Sequence, residues 1–152
     1  MRGASMLTSH RVAAVAALAT VLFAACGSEE PGTEANPRTI EIEALDEFAF
    51  DPDEVTVPSG ETIRFVVTNP GEVAHEFVLG PEHVQMAHEE ASEMGEEHGE
   101  MQMEDQLAAF DIQPGQTEEA TVTFDQAGEI FYGCHEPGHY DAGMVGAVTL
   151  ES

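Results

Sequence analysis

A cysteine, two histidines and a methionine fall within twelve residues, GCHEPGHYDAGM, numbered 133 to 144. Three of them, Cys134, His139 and Met144, are evenly spaced, with four residues in each gap. A thiolate, an imidazole and a thioether in one short loop could all reach a single ion. Zinc takes cysteine and histidine but has no use for methionine, and calcium and magnesium want oxygen donors, which this loop hardly offers. Soft sulfur together with imidazole selects copper, and a trigonal site of two histidines and a cysteine with a weak axial methionine suits one-electron chemistry. The second histidine has to come from elsewhere. His75, in NPGEVAHEFVLG, stands where a turn passes into a strand and is the best candidate.

Positioning such a set requires a rigid scaffold, and the flanking sequence describes one. TIEIEAL alternates strictly from Thr39, and FAF, EVTV, ETIRFVVTN and VAHEFVLG follow, separated by DPD, PSG and NPG. The pattern resumes at Ala108 with AAFDI, TEEATVTF, GEIFYGC and VGAVTL. Eight or nine short, half-buried strands split by turn residues predict an all-β chain, an antiparallel Greek-key sandwich whose two sheets cover each other's apolar faces. Residues 39–152 suffice for one such core. Loops from distant strands cluster at one end of this architecture, so residue 75 can meet residues 134–144. Pro137, Gly138 and Gly143 let the loop bend. Strand alternation sends His135 away from the side of Cys134, which places it outside the site, facing solvent.

Residues 81–107, PEHVQMAHEEASEMGEEHGEMQMEDQL, interrupt the strand pattern and read as a helical or mobile insertion. At a helical period His83, Met86, Glu90, Met94, His98 and Met101 share one stripe. Gly95 and Gly99 would each weaken that helix by about 1 kcal/mol. Thioethers suit Cu(I) and imidazoles Cu(II), so His83, Met86, His88, Met94, His98, Met101 and Met103 form a possible secondary copper-collecting set. The competing reading has the methionines packing a helix onto the sandwich while the acids face water.

The first 25 residues, with Arg2, Arg11 and an apolar run ending at Cys26, have the form of a signal peptide. Ala24 and Ala25 before Cys26 resemble bacterial lipoprotein processing, which would lipidate Cys26 and leave residues 26–38 as a linker to a membrane anchor; Phe23 departs from the usual aliphatic residue there. A Cys26 to Cys134 disulfide would only staple a linker to the domain. The 152-residue chain carries 30 acidic residues, no lysine and a formal net charge of −26. Nucleic acid is thereby excluded as a natural partner, because binding phosphates needs a basic face.

Cys134-x4-His139-x4-Met144 with an upstream His75 resembles the cupredoxin family over about residues 39–152, in spacing most like its auracyanin and rusticyanin branches. The resemblance implies His75, Cys134 and His139 as equatorial copper ligands, Met144 as the axial one, and the edge of His139 as the electron-transfer route. An apolar patch of Gly71, Val73, Pro137 and Val145 would surround that edge. Many family members have Asn after the upstream histidine, where Glu76 stands here; a carboxylate cannot donate that residue's hydrogen bond, although a backbone N–H could still serve the sulfur. The expected function is one-electron transfer with a redox partner such as a basic cytochrome, drawn by the acidic surface. The alternative is copper sequestration, tolerance or delivery on the periplasmic side, since HEFVLG followed by a Met/His-rich stretch resembles periplasmic copper-tolerance cupredoxins. No Ser/His/Asp order, phosphate loop or paired-histidine zinc motif points to an enzyme.

Overall fold

A computed structural model of the chain describes residues 32–95, 103–125 and 128–151. The expected signal peptide, Cys26, His98 and Met101 lie outside the described residues. Nine strands and one helix follow in the order β1 (Arg38–Leu45), β2 (Ala49–Asp51), β3 (Glu54–Pro58), β4 (Thr62–Thr68), β5 (His75–Pro81), α1 (Glu82–Met94), β6 (Ala108–Ile112), β7 (Thr117–Thr123), β8 (Ile130–Gly133) and β9 (Val145–Glu151). They build a sandwich of two sheets, ordered β2-β1-β4-β7 and β3-β9-β8-β5-β6. The sheets are mixed rather than purely antiparallel: β1 pairs parallel to β4, and β3 parallel to β9. Alternation within a strand reports which face is buried but not which neighbour it pairs with, so the parallel pairs were not legible.

Ile42, Val57, Ile63, Phe65, Phe77 and Leu79 close the core between the sheets, each no more than 1% exposed. Tyr132 reaches across it, with its ring against Phe50 and Phe77 and its hydroxyl donating to the Pro52 carbonyl at 2.8 Å. The chain already touches the domain ahead of β1, where the Thr62 N–H donates to the Gly32 carbonyl. FAF is only partly strand. Phe48 sits in the turn before β2 with φ of 58°, a left-handed conformation that costs a non-glycine residue about 1–2 kcal/mol.

β5 departs from alternation, because residues 75–80 are all buried. Its inner face (His75, Phe77, Leu79) meets the sandwich core, and α1 lies on the outer face. The Val84 side chain comes so near Gly80 that a Cβ there would lie 3.0 Å from it. The buried stripe of α1 is Val84, Gln85, His88 and Ala91, while Met86 and Met94 are 64% and 63% exposed. These two methionines therefore do not pack the helix onto the sandwich. The helix stops after Met94, with Gly95 as a left-handed cap whose N–H bonds the carbonyls of Ala91 and Ser92, so this glycine terminates the helix instead of weakening its interior.

Candidate metal centre

His75 opens β5, Cys134 follows β8, and Met144 precedes β9, so three adjacent strand ends present three of the four expected donors. His139 arrives on the loop between β8 and β9. That loop is tied by its own backbone: the Cys134 N–H donates to the Met144 carbonyl at 3.1 Å, and the Met144 N–H to the His139 carbonyl at 3.1 Å. Gly138 and Gly143 take φ of 83° and 100°, turns that a Cβ would strain.

The structure brings His75, Cys134 and His139 together. Their ligating atoms all lie within 4.8 Å of one another, the one such cluster among the described residues. Cys134 Sγ is 3.3 Å from His139 Nδ1 and 4.0 Å from His75 Nδ1. Met144 is fully buried in the same core region. The donor set fits copper: two imidazoles present Nδ1 toward one sulfur, away from water, and the buried Met144 is tied by its backbone to both Cys134 and His139. The sulfur accepts a hydrogen bond from the Glu76 backbone N–H at 3.3 Å. The expectation that a backbone N–H could serve the sulfur is thus met, and the Glu76 carboxylate turns toward His88, 3.7 Å away.

Burial controls the protonation of these groups. It pushes the Cys134 thiol up to about 12, only partly offset by the hydrogen bonds it accepts from the backbone of Glu76 and Glu136. His75 is lowered by burial and then by the nearby His139, and His139 is lowered by burial alone. Both imidazoles are therefore neutral near pH 7, the form that ligates metal, whereas the thiol must give up its proton to do so.

His139 is 8% exposed and stacks on Phe48, with ring centroids 4.2 Å apart. Two residues earlier, the Asp46 carboxylate accepts from the N–H groups of Glu72 and Val73, so one turn links the loop before β5 to the ring of His139. Asn69 secures that loop from beneath. Its Nδ2 donates to the Val73 and Ile112 carbonyls and its Oδ1 accepts from the Gly71 N–H. Of the patch expected round His139, Val73 and Pro137 are exposed, while Gly71 and Val145 are half-buried. The roles of Phe48, Asp46 and Asn69 were missed, although the Asn-Pro-Gly turn signalled a fixed bend.

His135 does point away from the Cys134 side, but it is fully buried rather than facing solvent. Alternation carries it to the outer face of the sheet, and α1 covers that face. Its Nδ1 lies 2.9 Å from Glu89 Oε2 and its Nε2 2.9 Å from Gln85 Oε1. His88 is likewise buried, 2.9 Å from Gln106 Oε1, whereas His83 is exposed and pairs with Asp105. Met103 is half-buried. On α1 the secondary donors are thus split, with His83, Met86 and Met94 on the wet face and His88 on the dry one, and neither His83 nor His88 belongs to a cluster of three or more His, Cys, Asp or Glu donors among the described residues.

A family model for copper-binding proteins of the plastocyanin/azurin family matches residues 38–151. The copper-resistant cuproprotein CopI of Rubrivivax gelatinosus is 40% identical over 121 residues, covering 79% of this chain and 71% of that protein. Its namesake in Pseudomonas aeruginosa is 35% identical over 139 residues, covering 75% and 76% respectively. Dithionite-reduced auracyanin from Roseiflexus castenholzii superposes with a TM-score of 0.67 at 29% identity, covering 75% of this chain and 97% of its own. Auracyanin A from Chloroflexus aurantiacus, a "blue" copper protein, gives 0.67 at 28% identity, covering 76% and 100%. Copper is the cofactor that this family and the His75, Cys134, His139 cluster support together. The chain belongs to the plastocyanin/azurin family of copper-binding proteins.

Proposed function

We propose that the protein holds one copper ion in a type 1 centre, with His75, Cys134 and His139 as main ligands and Met144 as the weak axial donor, and exchanges single electrons through it. The observation that carries this reading is the convergence of two Nδ1 atoms on one buried sulfur in a loop closed by its own backbone. A rigid set of donors accommodates both oxidation states with little rearrangement, which is what one-electron transfer needs. The edge of His139, whose ring stacks on Phe48, is the route for the electron, and the acidic surface steers a basic partner such as a cytochrome in a salt-sensitive way. The chain is exported and anchored on the periplasmic side through a lipid on Cys26, and it is a carrier rather than an enzyme. Export rests on the signal-like first 25 residues.

The test is the visible spectrum of the copper-loaded protein beside a Cys134→Ser variant. An intense thiolate band that the variant loses is expected, and a colourless Cu(II) protein would overturn the reading.

A second reading, copper tolerance, is favoured by the names of the relatives, both copper-resistant cuproproteins. The exposed His83, Met86 and Met94 on α1 would then collect copper for the buried centre. Substituting these three together should lower growth in copper and reduce binding beyond one ion per chain. Unchanged tolerance and a stoichiometry of one in both proteins would remove the motive for this second reading.

A further inference from the structure

Helix α1 does more than cover the sheet. On the reading of the centre given above, we propose that it braces the copper-ligand loop through Gln85, a positioning residue that acts on the centre by way of His135. Gln85 is fully buried, and its Nε2 donates to the carbonyls of Val78 and Phe131, each at 3.1 Å, and of Gly80 at 3.4 Å. Those carbonyls belong to β5 and β8, the strands that carry His75 and lead into Cys134. Because Nε2 faces only carbonyls, the orientation of the amide is settled, and Oε1 is left as the acceptor that meets His135 Nε2 at 2.9 Å.

His135 is the hub of this arrangement. Glu89 holds its other ring nitrogen at 2.9 Å, so two residues one helical turn apart grip one imidazole. On one side its backbone continues directly from Cys134. Against its ring stacks Tyr140, with centroids 4.7 Å apart and planes 22° apart, and Tyr140 follows His139 in the chain. The grip on His135 therefore reaches two of the ligand positions. The fit leaves no slack: a Cβ on Gly133 would lie 2.5 Å from Gln85 Oε1 and 2.9 Å from the Tyr140 ring. On the neighbouring strand His88 meets Glu76, the residue whose N–H bonds the sulfur. His75 has no such aid of its own, since its Nε2 has no hydrogen-bond partner among the described residues.

Outer partners of this kind typically change metal affinity about 10- to 100-fold when removed. Gln85→Leu keeps the bulk and removes every hydrogen bond. It should weaken copper affinity by about tenfold or more and displace the thiolate band. Val84→Ala removes packing from the same buried stripe and leaves the hub intact; it should lower the denaturant midpoint of the copper-free protein with band and affinity unchanged. Should Gln85→Leu not fold, Glu89→Leu reads the same hub from a half-buried position, and Glu89→Gln, which keeps an acceptor for His135, should restore the band. A wild-type band with Gln85→Leu or Glu89→Leu unshifted in both band and affinity would overturn the brace alone, as would equal effects of Gln85→Leu and Val84→Ala. A wild-type protein with no thiolate band would overturn the centre, and the brace with it.

Discussion

Copper uptake should release one proton per ion across the neutral and mildly alkaline range. Burial places the Cys134 thiol near 12 in the metal-free fold, so it is protonated throughout that range. His75 and His139 are lowered from 6.5, so above pH 7 they are neutral and release nothing. Deprotonating the thiol at pH 7 spans about five pH units at about 1.4 kcal/mol each, an opposing term of about 7 kcal/mol that copper binding must exceed. Apparent affinity should therefore rise about tenfold per pH unit between pH 7 and 9, and more steeply in acid, where the imidazoles must also lose protons. The assay is a titration of metal-free protein with Cu(II) in weakly buffered solution containing a pH indicator, paired with competition against a chelator of known proton stoichiometry. One proton per copper is expected from the wild type and none from Cys134→Ser. A wild-type value near zero at pH 8, or an affinity flat with pH, would show that the sulfur is already ionised without metal and would refute the argument from burial.

Met144→Leu should keep the thiolate band and raise the reduction potential, measured by redox titration, because the weak axial donor favours Cu(II) without being a main ligand. Asn69→Ala removes three hydrogen bonds from a buried amide, at about 1 kcal/mol each, and should lower the unfolding free energy by about 3 kcal/mol in a denaturant titration. His88 is raised above 6.5: burial lowers it, but the bonds to Glu76 and Gln106 and the Glu76 charge together outweigh burial. A raised histidine adds stability in full below pH 6.5 and loses it as pH climbs through its folded value. The stability gap between wild type and His88→Gln, both metal-free, should therefore shrink as pH rises; a gap that widens would show that His88 is not held as a cation.

The sandwich was legible because period-2 burial leaves a direct trace in residue order, and all nine runs became strands. What alternation cannot carry is pairing, which depends on crossings between sheets; hence the parallel neighbours of β1 and β3 came only from the fold. The meeting of Cys134 and His139 with His75 was legible for a different reason. Cys134, His139 and Met144 lie in one loop, and the chemistry of sulfur and imidazole narrows the ion before any geometry is known. Phe48 was not legible, because its contact with His139 joins positions far apart in the chain through a turn with left-handed backbone.

The insertion shows how such reasoning can select the wrong face. His83, Met86, Glu90 and Met94 do share a stripe, but it is the wet one. The dry stripe holds two apolar residues, Val84 and Ala91, beside Gln85 and His88, so its polarity hides it from any count of hydrophobic period. A buried polar face is tolerable only where its groups meet partners, and here they do: the carbonyls of β5 and β8 for Gln85, Gln106 and, at ion-pair distance, Glu76 of β5 for His88, and His135 just past β8 for Gln85 and Glu89. Those partners sit beside His75 and Cys134 because the outward positions of a strand neighbour its inward ones. A helix laid on the outer face is therefore one residue from the ligands on the inner face. That adjacency, which the sequence shows only as a histidine following a cysteine, is what lets a segment with no ligand in the cluster bear on the copper centre.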